Sequence, residues 1–216
     1  MIELVVFLGN PGKEYSRNRH NAGFLLAEKL KIDLSWGKKY KGYYAVLDRN
    51  QLEEKPVTLA EGGLSSRLHF IKPQNYMNLS GQSVSAVASF FKIGPPAILV
   101  VHDELELPLG TLSLKFGGGL GGHNGLRSVK ASLGSADFWR LRIGIGRPDN
   151  RRPGEGGPEG SGKGIVDWVL SDFSAKEAEE MELILQAASV LIMEILLCGP
   201  ESRLPEWAKK KVLLDA

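Results

Sequence analysis

Cysteine is scarce in this sequence: Cys198 is the only one among 216 residues. A single cysteine cannot form an internal disulfide bond, which suits a protein of a reducing compartment. Because Cys198 ends an apolar stretch far along the chain from the polar motifs, we interpret it as a buried bystander rather than a nucleophile. Paired cysteines, and histidine pairs at helical spacing, are also lacking. Their absence argues against a zinc site, so we expect no metal and no cofactor.

Long apolar runs and a strong net charge are lacking too. No apolar run reaches the ~18 residues that indicate a membrane span, and the stretch at 183–197 is broken by polar residues, as in a buried helix. The first ten residues have neither the basic region nor the cleavage site of a signal peptide. The formal net charge of +2 allows a local basic patch without requiring one. We therefore expect a soluble, cytoplasmic monomer that does not associate with membranes.

Apolar strands and amphipathic helices alternate along the chain. This pattern favours an α/β fold: a single three-layer α/β/α domain over residues 1–216, with a twisted, mostly parallel (mixed) central sheet. The predicted strands are 2–8, 43–47, 68–72, 97–101, 111–116 and 139–145, and the predicted helices are 21–32, 80–91, 124–132 and 175–198. The Gly/Pro-rich stretch at about 149–163 predicts a flexible loop, after which 165–170 is expected to return to the core.

Polar side chains follow several of the predicted strands. Asn10 follows the first strand, the segment 73–78 follows another, and His102 and Asp103 follow the strand 97–101. A glycine-rich loop then leads to a fourth polar group, His123 and Asn124. Ligands of open α/β sheets bind beyond the carboxyl ends of the strands, so we expect these groups to converge at one edge.

His20 is the strongest candidate for a catalytic base. It lies in a polar loop just before a predicted helix, whose positive N-terminal end disfavours the imidazolium form. Asp103 is the candidate carboxylate that holds one ring nitrogen protonated, so that the other nitrogen accepts a proton from water. No Gly-x-Ser-x-Gly motif offers a serine nucleophile. The other histidines are predicted to pack in or beside strands, or, for His123, to cap a helix.

Two glycine motifs suggest an alternative, nucleotide-dependent function. Residues 117–122 satisfy the dinucleotide pattern G-x-G-x-x-G between a strand and a helix, but that strand alternates polar and apolar residues, unlike a central Rossmann strand. A loop whose amides meet a phosphate or a peptide backbone fits better. Residues 157–163 are close to a phosphate-binding P-loop, but Gly164 stands where a serine or threonine is required.

Five ordered motifs resemble bacterial-type peptidyl-tRNA hydrolases. They are GNPGKEYSRNRHNAG (9–23), KPQNYMNLSG (72–81), HDELELPLG (102–110), KFGGGLGGHNGLRS (115–128) and FWRLRIGIGRP (138–148). The resemblance implies an esterase that cleaves the bond between a peptide and the 3′-terminal ribose of tRNA, which recycles tRNA from stalled translation. The partner implied is peptidyl-tRNA.

The resemblance also implies roles for individual residues. His20 is the base, Asp103 keeps it in its proton-accepting form, and Asn10 positions the substrate and favours N-blocked peptidyl-tRNA. Residues implied in contacts with the peptide or the tRNA end are Asn78, Asn124, Tyr15 and Tyr76. A basic clamp on tRNA phosphates is implied for Lys115 and Arg142, with Arg127, Lys130 and Arg140 as helpers. A non-catalytic RNA-binding module with the same groove remains the principal alternative.

Overall fold

The computed structural model describes residues 1–52, 67–148 and 164–213. The strands are β1 Leu4–Phe7, β2 Gly37–Lys39, β3 Gly42–Asp48, β4 Arg67–Pro73, β5 Ile98–Glu104, β6 Thr111–Phe116, β7 Trp139–Gly144 and β8 Lys210–Lys211. The helices are α1 Ala22–Lys29, α2 Ser80–Phe91, α3 Asn124–Leu133, α4 Ile165–Val169, α5 Ala175–Cys198 and α6 Pro200–Trp207. The predicted loop at 149–163 and the P-loop-like stretch at 157–163 lie outside the described residues.

These strands form one mixed sheet in the order β2-β3-β4-β1-β5-β7-β6-β8. The central strands β4, β1, β5 and β7 are parallel, and the flanking strands pair antiparallel with their neighbours. Central parallel strands are covered on both faces, which explains why β1 and β5 are wholly buried. The predicted α/β class and mixed sheet are confirmed.

Helices cover both faces of the sheet. Side chains of alternate strand positions, such as Val5, Leu99 and Leu141, belong to a core that α1 and α5 complete. The intervening positions, such as Val6 and Val100, face a second core shared with α2 and α3. This alternation follows from the two-residue period of a strand and gives the three-layer arrangement.

Helix α5 spans the 24 residues that the sequence predicts for it. Ser174 caps its first turn in a reciprocal arrangement with Glu177, which satisfies amide groups that a helix start leaves free. By length and composition alone it is apolar enough to cross a membrane, but half of its apolar window is buried inside the protein. Its inward residues, including Ile184 and Leu191, belong to the core on the α1 side of the sheet.

Two predictions about burial are wrong. The segment 165–170 does not return to the core: it forms the short helix α4, which buries Val169 but leaves Val166 66% exposed. Cys198 is exposed rather than buried, because it lies on the outward side of the last turn of α5, in which Ile195 and Leu196 face the core. A helix of this length spans about 36 Å, so Cys198 lies far from the N-terminal end of α5.

Candidate active site

A close approach of α1 to the sheet places His20 at the ends of the central strands. His20 lies in a 3-10 turn, Arg19–Asn21, that leads directly into α1. A β-carbon added at Gly23 would lie 2.5 Å from the Leu8 carbonyl oxygen and 2.8 Å from that of Val101. Only glycine therefore lets the start of α1 rest on the sheet, and the turn before it reaches the end of β5.

His20 and Asp103 form a buried hydrogen-bonded pair. Nδ1 of His20 lies 2.9 Å from Oδ1 and 3.0 Å from Oδ2 of Asp103. Asp103 points toward this turn because it shares the strand face of Leu99 and Val101, the face that α1 covers. The Nε2 atom of His20 makes no hydrogen bond within the described ranges. The pair thus leaves one ring nitrogen of His20 free to accept a proton.

The carboxylate of Asp103 sets the protonation of His20. Burial alone would lower the pKa of His20, but the charge of Asp103 and its hydrogen bond raise that pKa above the ordinary value of 6.5. The expectation that the helix N-terminus keeps the ring neutral is therefore corrected, because the carboxylate outweighs it. Despite its own burial, Asp103 has its pKa lowered far below the ordinary range by His20 and His123, so it stays ionised.

His123 also belongs to the site, although the sequence predicted only its role as a helix cap. Its Nδ1 accepts hydrogen bonds from the backbone of Gly125 and Leu126 and so caps α3, as predicted. Because Nδ1 accepts, the ring proton lies on Nε2, which is 2.9 Å from Oδ1 of Asp103. The carboxylate of Asp103 therefore accepts hydrogen bonds from two histidines, one of them the candidate base.

Among the described residues, the side chains of His20, Asp103 and His123 form the group that could hold a metal ion. Their ligand atoms lie within 4.8 Å of one another. However, a metal would have to displace the protons of His20 Nδ1 and His123 Nε2. Both protons complete hydrogen bonds of 2.9 Å to Asp103, and Nδ1 of His123 is engaged by the α3 backbone. This arrangement fits two histidines that donate to one ionised carboxylate better than it fits a metal centre.

Asn10 has its amide orientation set by its neighbours. Its Oδ1 accepts a hydrogen bond from the backbone N–H of Met77, 2.8 Å away. Its backbone N–H and C=O both bond the side chain of Asn21, at 2.8 and 3.0 Å. With Oδ1 engaged, the Nδ2 group is the part of Asn10 that remains to donate a hydrogen bond. That donor lines the same cleft as His20.

Two adjoining clefts meet at His20. One, of about 530 Å³, contains most of the predicted substrate-binding residues: Asn10, Tyr15, Tyr76, Asn78 and Asn124. The other, of about 320 Å³, contains Asp103 and His123. Arg127 and the α4 residues Val166 and Val169 line both clefts. The structure thus gathers the predicted residues around one base, and adds an apolar wall from α4 that the sequence did not indicate.

Arg19 connects α4 and the start of α5 to the turn Arg19–Asn21, which carries His20. It is 4% exposed, and its guanidinium carbon lies 3.9 Å from the centre of the Trp168 ring. The guanidinium also donates to the hydroxyl of Ser171 at 2.8 Å and pairs with Glu177 at 2.7 Å. Because Arg19 precedes His20 in the chain, the turn that carries the candidate base and the segment around α4 hold each other in place.

Three of the five predicted phosphate-binding residues, Lys115, Arg140 and Arg142, lie on one face of β6 and β7, whereas Arg127 and Lys130 lie on α3. Lys115 is exposed. Arg142 is not free: its Nε lies 2.9 Å from Glu104, and its guanidinium also donates to Ser113 at 3.2 Å. Arg140 is 1% exposed and donates to the carbonyl groups of Gly117 and Gly119. The expectation that Arg140 contacts tRNA is therefore wrong, because its guanidinium is buried and holds the glycine loop.

The glycine loop does not belong to a dinucleotide-binding unit. Strand β6, which precedes it, runs antiparallel to both β7 and β8, whereas that unit requires parallel strands on either side of a helix. Gly121 and Gly122 have φ values of 58° and 73°, so the loop bends back toward the clefts. It delivers His123 to Asp103 and leads into α3. The nucleotide-dependent alternative has no support in this geometry.

The chain is similar to peptidyl-tRNA hydrolases over nearly its whole length. Residues 4–213 match the family model described as peptidyl-tRNA hydrolase. A peptidyl-tRNA hydrolase of Treponema pallidum (strain Nichols) is 43% identical over 217 residues, which cover 98% of this chain and 97% of that relative.

Solved structures agree with the sequence comparison. A crystal structure of a peptidyl-tRNA hydrolase in complex with n-propanol has a TM-score of 0.73 and 33% identity, and the match covers 96% of this chain and 94% of the other. The crystal structure of the enzyme from Acinetobacter baumannii has a TM-score of 0.68 at 33% identity, with 96% and 92% of the two chains covered.

Proposed function

Since the chain belongs to the peptidyl-tRNA hydrolase family and is an enzyme acting on peptidyl-tRNA, we propose that His20 is its general base. The observation that carries the proposal is the pairing of His20 Nδ1 with Asp103, which leaves Nε2 unengaged at the junction of the two clefts. In the proposed reaction, Nε2 takes a proton from a water molecule whose oxygen attacks the ester carbonyl carbon. Asp103 stabilises the imidazolium that forms.

The remaining steps need no further group to move protons. The tetrahedral intermediate breaks at the bond between the carbonyl carbon and the 3′-oxygen of the terminal ribose. The imidazolium of His20 returns its proton to that oxygen, so the first products are a peptide carboxylic acid and a free tRNA hydroxyl. The carboxylic acid then loses its proton to bulk water and leaves as the carboxylate. In this mechanism the Nδ2 group of Asn10, whose Oδ1 is engaged by Met77, donates to the carbonyl oxygen, where negative charge develops in the transition state.

The lining of the larger cleft supports a preference for N-blocked substrates. Among the described residues that line it, none is acidic, and Arg127 contributes a positive charge. A free α-ammonium group would lose hydration there without a carboxylate to compensate it, whereas a blocked amino group carries no charge. The amide groups of Asn78 and Asn124 are the proposed partners of the peptide main chain. The enzyme would thereby spare aminoacyl-tRNA and recycle tRNA in the cytoplasm.

The test compares N-acetyl-aminoacyl-tRNA with free aminoacyl-tRNA in the wild-type enzyme and in His20→Asn. The wild-type protein should release tRNA from the blocked substrate alone. His20→Asn should lower kcat by ~10²–10⁴ while it leaves the Kd for tRNA nearly unchanged. His69→Asn is the matched control, because His69 is a buried histidine that bonds Tyr44 away from both clefts. Wild-type turnover in His20→Asn would overturn the mechanism.

A further inference from the structure

A positively charged depression adjoins the catalytic cleft at the turn between β2 and β3. Its volume is about 440 Å³, and it is lined by Lys38, Lys39, Lys41, Gly42, Tyr43, Gln74 and Asn75. Within the described part of the chain, none of the three lysines forms an ion pair with a carboxylate. Lys41 donates to the neutral amide of Gln82 at 3.0 Å, and Lys39 lies 4.9 Å from the centre of the Tyr40 ring. The depression therefore keeps its positive charge.

The turn that carries these lysines has an unusual backbone. Tyr40 and Lys41 have φ values of 53° and 55°, in the left-handed region. Two-residue hairpin turns of this kind normally use Asn-Gly, since other residues are strained there. The turn is nevertheless held firmly, because the carbonyl of Lys41 accepts hydrogen bonds from the backbone of Gln74 at 2.9 Å and from Ser83 Oγ at 3.0 Å. The lysines are thus presented at a fixed place.

The depression lies on the side of the larger cleft toward which we expect the peptide part of the substrate to extend from the ester bond. Gln74 and Asn75 line the depression, and the next residues, Tyr76 to Asn78, line the cleft that contains His20. Strands β3 and β2 lie beyond β4 on one side of β1, whereas β6, with the exposed Lys115, lies on the other. If tRNA phosphates meet the β6 side, the peptide is left to extend toward β2.

We propose that Lys38, Lys39 and Lys41 form a subsite for an acidic side chain of the peptide moiety. The proposal rests on the proposed function of the cleft. Strand β2 is three strand spacings from β1, or about 14 Å, and an extended peptide advances about 3.5 Å per residue. The preferred aspartate or glutamate is therefore the residue about four positions before the esterified one.

The experiment uses the full-length enzyme and one tRNA that carries N-acetyl pentapeptides differing only in the first residue: Asp, Asn or Lys. With the wild-type enzyme, the KM for the Asp peptide should be about three- to tenfold below that for the Asn peptide. The Lys peptide should have the highest KM of the three. The kcat values should agree, because the subsite does not touch the reacting atoms.

The triple variant Lys38→Gln/Lys39→Gln/Lys41→Gln should abolish the difference between Asp and Asn peptides. It should hydrolyse N-acetyl-aminoacyl-tRNA, which is too short to reach the subsite, as the wild-type enzyme does. A variant with the same net charge, in which the exposed lysines Lys31, Lys92 and Lys209 become Gln, should keep the difference.

The outcomes separate this subsite from the proposed function. Loss of hydrolysis of every blocked substrate by the wild-type enzyme would contradict the function itself. Normal hydrolysis with equal KM values for Asp and Asn peptides would overturn the subsite alone. If the triple variant instead raised the KM for all peptides equally and weakened binding of deacylated tRNA, the lysines would contact nucleic acid, and the proposal would again be wrong.

Discussion

His123 donates a hydrogen bond from Nε2 to Oδ1 of Asp103, the oxygen that also lies 2.9 Å from Nδ1 of His20. The carboxylate is thus shared by the candidate base and by the residue that caps α3. A substitution of His123 therefore changes the strength of the electrostatic interaction between Asp103 and His20. The glycine loop that carries His123 is therefore connected to the chemistry through one oxygen atom.

Substitution of His123 separates its two roles. His123→Asn keeps a side-chain oxygen that caps α3, whereas His123→Ala loses both the cap and the bond to Asp103. We expect both variants to lower kcat by roughly tenfold, since one charge-assisted hydrogen bond is lost. Only His123→Ala should lose an additional ~1 kcal/mol of stability. Steady-state kinetics and chemical denaturation check the two effects; equal kcat in wild-type and both variants would contradict the shared-carboxylate scheme.

The pH dependence of kcat/KM reports the state of His20. Its pKa in the folded protein is raised above 6.5 by Asp103, and only the neutral ring accepts a proton. The rate should therefore rise with pH, and the midpoint of this rise should lie above pH 6.5. At pH values below the midpoint the rate should be low. Because the folded-state pKa is raised, the stabilising contribution of His20 is complete below 6.5 and disappears as the pH rises through that midpoint. An acid limb at or below the ordinary value would count against this prediction.

Asp103→Asn should move that limb in the opposite direction. Without the carboxylate, burial is the dominant influence on His20 and lowers its pKa below 6.5. The plateau value of kcat should also fall, by ~10²–10⁴, because an amide does not hold the ring in its proton-accepting tautomer. A pH–rate profile of the variant tests both statements. If the limb stayed in place, Asp103 would not be the group that sets the pKa of His20.

Lys115 and Arg142 should respond differently to substitution, although both lie on one face of β6 and β7. Lys115→Ala should weaken tRNA binding and reduce the slope of log Kd against log salt by about 1. Arg142→Gln should chiefly destabilise the fold, by ~3 kcal/mol, because it leaves Glu104 buried without its partner. Salt titrations of tRNA binding and thermal unfolding distinguish the two effects. Exposed Lys209→Ala serves as the control for loss of one positive charge.

Removal of metal ions should not affect hydrolysis. The ligand atoms of His20, Asp103 and His123 lie close enough to hold a metal, so absence of a metal requirement needs a direct test. After dialysis against a chelator, kcat should be unchanged. Added Zn²⁺ should inhibit, because it competes with protons for the ring nitrogens of His20 and His123 and so breaks their hydrogen bonds to Asp103. Activity that disappears with the chelator and returns with Zn²⁺ would assign the cluster to a metal instead.

Strand ends were the most informative feature of the sequence. Apolar runs followed by Asn10 and Asp103 predicted that these residues meet at one edge, and parallel β1 and β5 place them there. The contact between His123 and Asp103 was not predictable in this way. It depends on left-handed glycines that turn the loop 117–122 back over the sheet, and no spacing in the sequence shows the path of such a loop.

The pairing of charged side chains could not be predicted from the sequence either. Arg142 and Glu104 were each visible as charged residues, but their partnership depends on the register in which Arg142 lies opposite His102. Burial of α4 was misjudged for a related reason. Val166 in α4 and Leu170 just after it line the larger cleft instead of the core, and the sequence does not distinguish an apolar side chain in one place from one in the other.

The contacts of Arg19 have a consequence for local unfolding. Arg19 contacts Trp168 and Glu177 through its side chain and donates its backbone N–H to the carbonyl of Ser171. Asn18, on the same turn, pairs with Asp172. We therefore expect the turn Arg19–Asn21 and the residues around α4 to open together, with similar free energies of opening in amide hydrogen exchange. A short, mostly exposed helix is in this way tied to the turn that carries the candidate base.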